Sequence, residues 1–282
     1  MADVQLFYPE MFHVETITAL DRPELAPYGT LKRSAAHAEL GIFVVEGDKV
    51  LDRLLESDFE VVSVLVIEER LAQYAARLKA RPEKDITVFV CAKPVLAELV
   101  GFEIYQGVLA IAKTPPPLTL ENILALNARP RLFVAMDGLA NAENVGTLMR
   151  NCVAFGVAAL ISGETCCNSF LRRTVRNSMG AIFKLPVLET AKLVETLREL
   201  RASGIKCIAA HPRPDGKNLS QTDFTGDCCI VFGSEGKGIS QAVLAACDET
   251  VAVPMANDVD SLNVSMAAAV FLYEVNRQRG KA

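Results

Sequence analysis

Three clusters in the second half of the chain hold residues that can do chemistry. They are Asn144-Val145-Gly146 with Arg150, then Gly233-Ser234-Glu235-Gly236-Lys237-Gly238, then Pro254-Met255 followed by Ser261-Leu262-Asn263-Val264-Ser265. Each stands where an apolar run gives way to polar or glycine residues. Ligands of open α/β sheets bind at such strand ends. Together the three read as one composite site.

Each cluster has a plain structural use beside the chemical one. Asn144 precedes an apolar stripe and is expected to cap exposed backbone N–H groups at a helix start. Arg150 falls off that stripe and points to solvent or to a partner. Three glycines around Glu235 leave the backbone free to wrap a ligand, and the carboxylate suits a cation, ribose hydroxyls or an arginine. A phosphate-cradling P-loop is excluded, because Lys237 is followed by Gly238 where that motif needs Ser or Thr. The dinucleotide pattern of spaced glycines fails as well. Ser261 and Asn263 stand before Ala267-Ala268-Ala269, where they can cap a helix whose small residues allow close packing.

These clusters need a scaffold. The chain has 282 residues, 51% of them hydrophobic and 22% charged, which describes a globular protein with a substantial core. No basic segment followed by an apolar run opens the sequence, and no stretch is apolar for long enough to span a bilayer, so a cytoplasmic protein is expected. Eight cysteines lack C-x-x-C spacing and lie mostly in apolar runs, so they read as small buried hydrophobes and not as metal ligands. Residues 1–113 hold 12 Lys and Arg against 18 Asp and Glu, whereas 114–282 hold 17 against 16. Any contact with nucleic acid must therefore rest on local patches, chiefly in the second half.

Strand-like and helix-like segments alternate throughout. In the first half, strands are expected at 43–45, 61–67, 86–90 and 107–112, with helices at 50–55, 70–80 and 94–100. Glu46-Gly47 precedes the first of these helices and could be functional or a cap, the cap being favoured because acidic residues and Gly suit helix starts. Lys113-Thr114-Pro115-Pro116-Pro117 reads as a linker, since consecutive prolines hold the chain extended. Residues 118–126 could add a short helix. Beyond it, strands are expected at 132–136, 158–161, 182–187, 205–210, 228–232 and 251–254. Helices are expected at 145–153, 170–178, 193–202 and 264–279. This is an α/β chain with a mostly parallel sheet covered on both faces.

The ordered set Asp137…Asn144-Val145-Gly146…Arg150, Val231-Phe232-Gly233-Ser234-Glu235-Gly236-Lys237-Gly238, and Val253-Pro254-Met255…Ser261-Leu262-Asn263-Val264-Ser265 resembles the three motifs of the SpoU/TrmH branch of the SPOUT methyltransferases. These are RNA 2′-O-ribose methyltransferases. The resemblance covers about residues 130–282, and residues 169–186 are similar to the segment between the family's first and second motifs. The N-terminal part is more loosely similar to the small α/β RNA-binding domain of many members. The resemblance implies a division into residues 1–113 (RNA-binding-like), 114–129 (linker) and 130–282 (SPOUT domain). It also implies a deep C-terminal trefoil knot, a homodimer with sites near its interface, and S-adenosylmethionine bound without metal. Carried over by position, Gly233, Gly236, Val253, Met255 and Leu262 would bind that cofactor. Asn144, Arg150, Glu235, Ser261 and Asn263 would form the catalytic set, with Arg150 on a substrate phosphate, Glu235 orienting Arg150, and Ser261 and Asn263 holding the 2′-oxygen and its loop.

The substrate implied is structured RNA, ribosomal RNA ahead of transfer RNA, with no membrane partner. Two readings compete: a non-catalytic knotted RNA-binding or assembly factor, which the intact Arg150, Glu235 and Asn263 set disfavours, and a nucleotide-dependent α/β enzyme, which the failed phosphate motifs disfavour.

Overall fold

The computed structural model describes residues 12–31, 34–83, 85–104, 106–126, 129–212, 217–257 and 259–281. Residues 1–11 of the expected N-terminal domain, and 127 and 128 of the expected linker, lie outside these. The chain divides into two compact units. One comprises residues 1–115 together with 170–183, and the other comprises 116–169 together with 184–282.

In the first unit, strands β1 (His13–Thr16), β2 (Ile42–Glu46), β3 (Val61–Ile67), β4 (Thr87–Cys91) and β5 (Val108–Lys113) form a sheet in the order β1-β4-β3-β5-β2. β1, β4 and β3 run parallel, whereas β5 is antiparallel to both β3 and β2. β3 is central, and its run Val-Val-Ser-Val-Leu-Val-Ile is buried apart from Val62 and Ile67. Its one polar residue, Ser63, is satisfied by the Tyr28 hydroxyl at 2.8 Å. Helices α1 (Ala26–Gly29), α2 (Ser34–Glu39), α3 (Asp48–Leu55), α4 (Leu71–Lys79) and α5 (Lys93–Val100) complete the N-terminal part. α3 and α4 use heptad-like spacing to bury Val50, Leu51, Leu54 and Leu55, and Leu71, Tyr74, Ala75 and Leu78.

Gly47 takes the N-cap position of α3, as expected, but no side chain of the turn supplies the cap hydrogen bond. Gly47 has φ +99°, and the α3 backbone N–H of Asp48 is satisfied by Gln106 Oε1 at 2.9 Å. Glu46 is buried and takes Arg172 and, at 3.0 Å, Arg176. Both arginines lie on α8 (Arg172–Ser178), which packs on β2 within this unit. Phe170 and Phe183 join Phe43 and Phe59 in an aromatic cluster. The strand expected at 182–187 is therefore shorter and later. Residues 181–183 form a 3-10 turn, and the strand is β8 (Val187–Glu189). Pro186 has no N–H for a ladder, and Phe183 is committed to the aromatic cluster.

The second unit holds α6 (Leu120–Leu124), β6 (Leu132–Asp137), α7 (Ala142–Ala154), β7 (Ala159–Ser162), β8, α9 (Leu193–Ala202), β9 (Lys206–Ala210), β10 (Lys217–Asn218), β11 (Cys228–Gly233), α10 (Gln241–Ala246), β12 (Glu249–Ala252) and α11 (Val264–Gln278). Its seven strands are all parallel, in the order β10-β12-β9-β11-β6-β7-β8. β6, β7, β9 and β11 are nearly continuous apolar runs, as expected of strands covered on both faces. The segment after the prolines docks here: a Thr119–Asn122 capping box starts α6, and Ile123 enters the core. Among the described residues no helix is long and apolar enough to cross a bilayer.

Candidate methyl-donor pocket and catalytic network

β12, β9 and β11 are neighbours in the sheet, and their carboxyl ends open on one cavity of about 280 Å³. Register explains the convergence. Val251 pairs with Ala210 and Phe232 with Ala210, so the three chains leave the sheet at one level. The walls are apolar where Val251, Val253, Met255, Leu262, Ala267 and Phe271 face in. The Phe271 ring meets Phe232 edge-on at 5.7 Å. Polar groups enter at the rim from His211, Ser234, Glu235, Lys237 and Ser261.

The glycine loop owes its shape to one close crossing. Ser234 N donates to Gly238 O at 3.1 Å and Gly238 N to Ser234 O at 2.9 Å, closing a tight turn. A Cβ on Gly233 would lie 2.2 Å from the Gly238 carbonyl carbon and 2.3 Å from Ile239 N, so only glycine lets the two strands of backbone pass.

Beside the cavity, two helix starts meet. α7 is capped by Asn141, whose Oδ1 accepts from Glu143 N at 2.8 Å and Asn144 N at 3.3 Å. Asn144 therefore lies inside the first turn and is not the cap, one turn later than its sequence position suggested. This frees its side chain. Asn144 Nδ2 donates to Glu235 Oε1, and Asn144 Oδ1 accepts from Asn263 Nδ2 at 3.1 Å. Asn263 is the cap of α11, with its Oδ1 accepting from Ser265 N at 2.9 Å. Ser265 Oγ closes the circuit on Asn144 O at 3.0 Å.

Gly233, Glu235, Val253, Met255, Ser261 and Leu262 thus line one cavity, with Asn144 and Asn263 bonded to its carboxylate. Gly236 sits exposed in the same turn but does not line the cavity. The pairing expected between Glu235 and Arg150 is absent, because Glu235 is held by Asn144. Arg150 is exposed and forms no ion pair with any described residue. Seven residues after Glu143, it emerges from α7 away from the first turn that carries Asn144. The sequence places Lys237 only in the glycine cluster, with no site role, and does not single out His211. His211 belongs to no cluster and is brought in only by the neighbouring of β9 and β11.

The model of the SpoU rRNA methylase family matches residues 131–273, a span holding all three clusters. The chain belongs to that family. An uncharacterized tRNA/rRNA methyltransferase of Mycobacterium bovis is 28% identical, over 96% of this chain and 94% of its own length. The AdoMet-bound rRNA methyltransferase of Sinorhizobium meliloti has the same fold, with a TM-score of 0.79 at 23% identity over 94% of this chain and 98% of that one. The SpoU methyltransferase AviRb of Streptomyces viridochromogenes, in complex with AdoMet, matches with a TM-score of 0.78 at 25% identity, over 93% of this chain and 100% of that one.

AdoMet is bound in the Sinorhizobium meliloti and Streptomyces viridochromogenes structures, and the cavity of this chain has the chemistry to hold such a molecule. Its volume is near the lower end of small-molecule sites, on the order of 300–1,000 Å³. Apolar walls suit an adenine ring and a thioether arm, and strand-end backbone suits the polar edge of the base. Glu235, Ser261 and His211 at the rim can reach hydroxyl, amino and carboxylate groups.

Proposed function

We propose that this protein methylates a ribose 2′-hydroxyl of structured RNA, ribosomal RNA ahead of transfer RNA. The observation that carries the reading is the meeting of a donor-sized cavity with the Asn144–Glu235–Asn263 network at its rim. S-adenosylmethionine supplies a methyl group on a sulfonium sulfur, which becomes a neutral thioether when the methyl leaves. Such a displacement needs alignment above all, and no metal. In this reading Gly233, Val253, Met255 and Leu262 hold the donor, Gly236 serves only the turn beside it, and Ser261 and Asn263 hold the target ribose and its loop. Arg150, unpaired by any described carboxylate, is left for a substrate phosphate, where a planar charged fork binds best.

The same reading gives residues 1–113 the role of an RNA-holding domain, 114–129 that of a linker, and 130–282 the chemistry. It takes the protein as a homodimer: α11 begins at the site with Asn263 and carries Met266, Val270 and Tyr273 on an exposed face. It includes the C-terminal trefoil knot. Supporting that, β12 lies beyond β9 in the sheet, yet the next helix, α11, returns to pack on α7 and β11. Eight free thiols and an RNA substrate suit the cytoplasm. Ribosomal RNA is preferred because of the additional N-terminal unit.

The test is to map 2′-O-methyl nucleotides in total RNA with and without the gene. Loss of a defined methylation, restored by purified protein and S-adenosylmethionine, is expected. An unchanged map defeats the proposal. Calorimetry with S-adenosylhomocysteine in a chelator should show undiminished binding, and loss on chelation would overturn the metal-free reading.

A further inference from the structure

The proton of the reacting hydroxyl needs an acceptor, and the way Glu235 is held identifies one. Ser265 N donates to Asn263 Oδ1, which fixes the orientation of that amide. Asn263 must then present its NH₂ group to Asn144 Oδ1, as it does at 3.1 Å. This in turn leaves Asn144 only its NH₂ group for Glu235, where it donates to Oε1. The relay consists of neutral amides anchored on two helix starts. It fixes the carboxylate in place without neutralising it, as an arginine would. Only Oε1 is engaged. Oε2 has no hydrogen-bond or ion-pair partner among the described residues, and Glu235 lines the donor cavity beside Ser261, Leu262 and Met255.

We propose that Glu235 is the proton acceptor of methyl transfer, with Asn144 and Asn263 as its positioning residues. The assignment rests on the function proposed above. As the 2′-oxygen forms its bond to the methyl carbon, the carbon–sulfur pair returns to sulfur. The hydroxyl proton passes to Glu235 Oε2 and then to solvent as product leaves. Arg150 is unsuited to this part, since a guanidinium keeps its protons at any pH at which RNA survives. Docking of RNA over the rim also removes water that competes for the free carboxylate oxygen.

The test compares wild type with Glu235→Gln, Asn144→Ser and Arg150→Ala, using total RNA from a strain lacking the gene. Gln keeps the Asn144 contact through its own carbonyl, so the site should survive. S-adenosylhomocysteine should bind Glu235→Gln within about twofold of wild type by calorimetry. Single-turnover transfer should fall about a hundredfold or more at neutral pH. Its residual rate should then rise about tenfold per pH unit as hydroxide replaces the missing base. Arg150→Ala and Asn144→Ser should slow transfer while keeping the wild-type pH profile. Wild-type speed in Glu235→Gln, a residual rate that ignores hydroxide, or lost binding of S-adenosylhomocysteine each overturns the assignment alone. Wild-type protein that leaves this RNA unmethylated overturns the proposed function, and this assignment with it.

Discussion

Two side chains of the site ought to fail in opposite ways when replaced. Leu262 is 36% exposed and forms part of the cavity wall, so Leu262→Arg drives a long charged side chain into the apolar cavity proposed to hold the donor. S-adenosylhomocysteine binding should disappear in calorimetry, with the melting temperature of the free protein nearly unchanged. Arg150→Ala should leave that binding within about twofold and lower transfer about a hundredfold, roughly 3 kcal/mol of transition-state stabilisation. Arg150→Lys should not restore the rate, because a point charge cannot replace a bidentate fork. Near-normal turnover in Arg150→Ala would remove Arg150 from the mechanism. At this scale the sequence was informative about residue type and poor about pairing. Clustering of the cavity residues was legible because Gly233, Val253 and Met255 stand at or just after strand ends, while Ser261 and Leu262 precede a helix start. The partner of Glu235 was not. That choice depends on a one-turn shift in the start of α7, where Asn141 takes the cap and frees Asn144.

Elements were legible in proportion to their length and periodicity. β3, α9 and α11 fall close to where the apolar pattern places them, whereas β1, β10 and α10 are four, two and six residues long and carry too little pattern to be seen. Residues 170–183 show the other limit: their aromatic side chains and Arg172 and Arg176 find partners in the first unit, which no local pattern reveals. The glycine turn gives an element-scale prediction. Gly233→Ala pushes a Cβ into the Gly238–Ile239 backbone, an overpacking worth about 2 kcal/mol, and should lower the melting temperature and abolish donor binding together. An unaffected affinity would show that the crossing is not what shapes the pocket. The strands also predict thiol behaviour. Burial pushes Cys91 and Cys228 up to about 11 and Cys247 up to about 12. At about pH 8 roughly one part in a thousand of the first two, and roughly one in ten thousand of Cys247, is thiolate. A thiol reagent should therefore reach at most the half-buried Cys166 and Cys167 within minutes, and all eight cysteines after unfolding. Fast reaction of Cys207 or Cys229 in the native protein would contradict the packing of β9 against β11.

For the whole molecule, the decisive surface is the outer face of α11. Its inner face buries Val264, Ala268, Phe271, Leu272 and Val275, while Met266, Val270 and Tyr273 recur at i, i+4 and i+7 on the other side, 64%, 38% and 54% exposed. Large apolar side chains at helical spacing gain on the order of 2 kcal/mol each when covered. A symmetric dimer counts each of them twice, because the same patch serves both protomers. A stable interface needs about 800 Å² from each partner, so three side chains form its centre and not its whole extent. The helix that carries them is capped by Asn263, which is bonded to Asn144, so in the proposed dimer the interface and the candidate site share one element. If the proposed dimer forms, Met266→Glu should convert it to monomer at about 10 µM in sedimentation velocity, the charge being costly to bury without a partner. The monomer should keep its melting transition, since Met266 contributes nothing to the inner face, and should lose methyl transfer together with the dimer. Two outcomes would break this link. A wild-type monomer at that concentration would show the exposed stripe to have another use. A Met266→Glu monomer with full activity would show that each protomer carries a complete site, with Arg150 serving the pocket of its own chain.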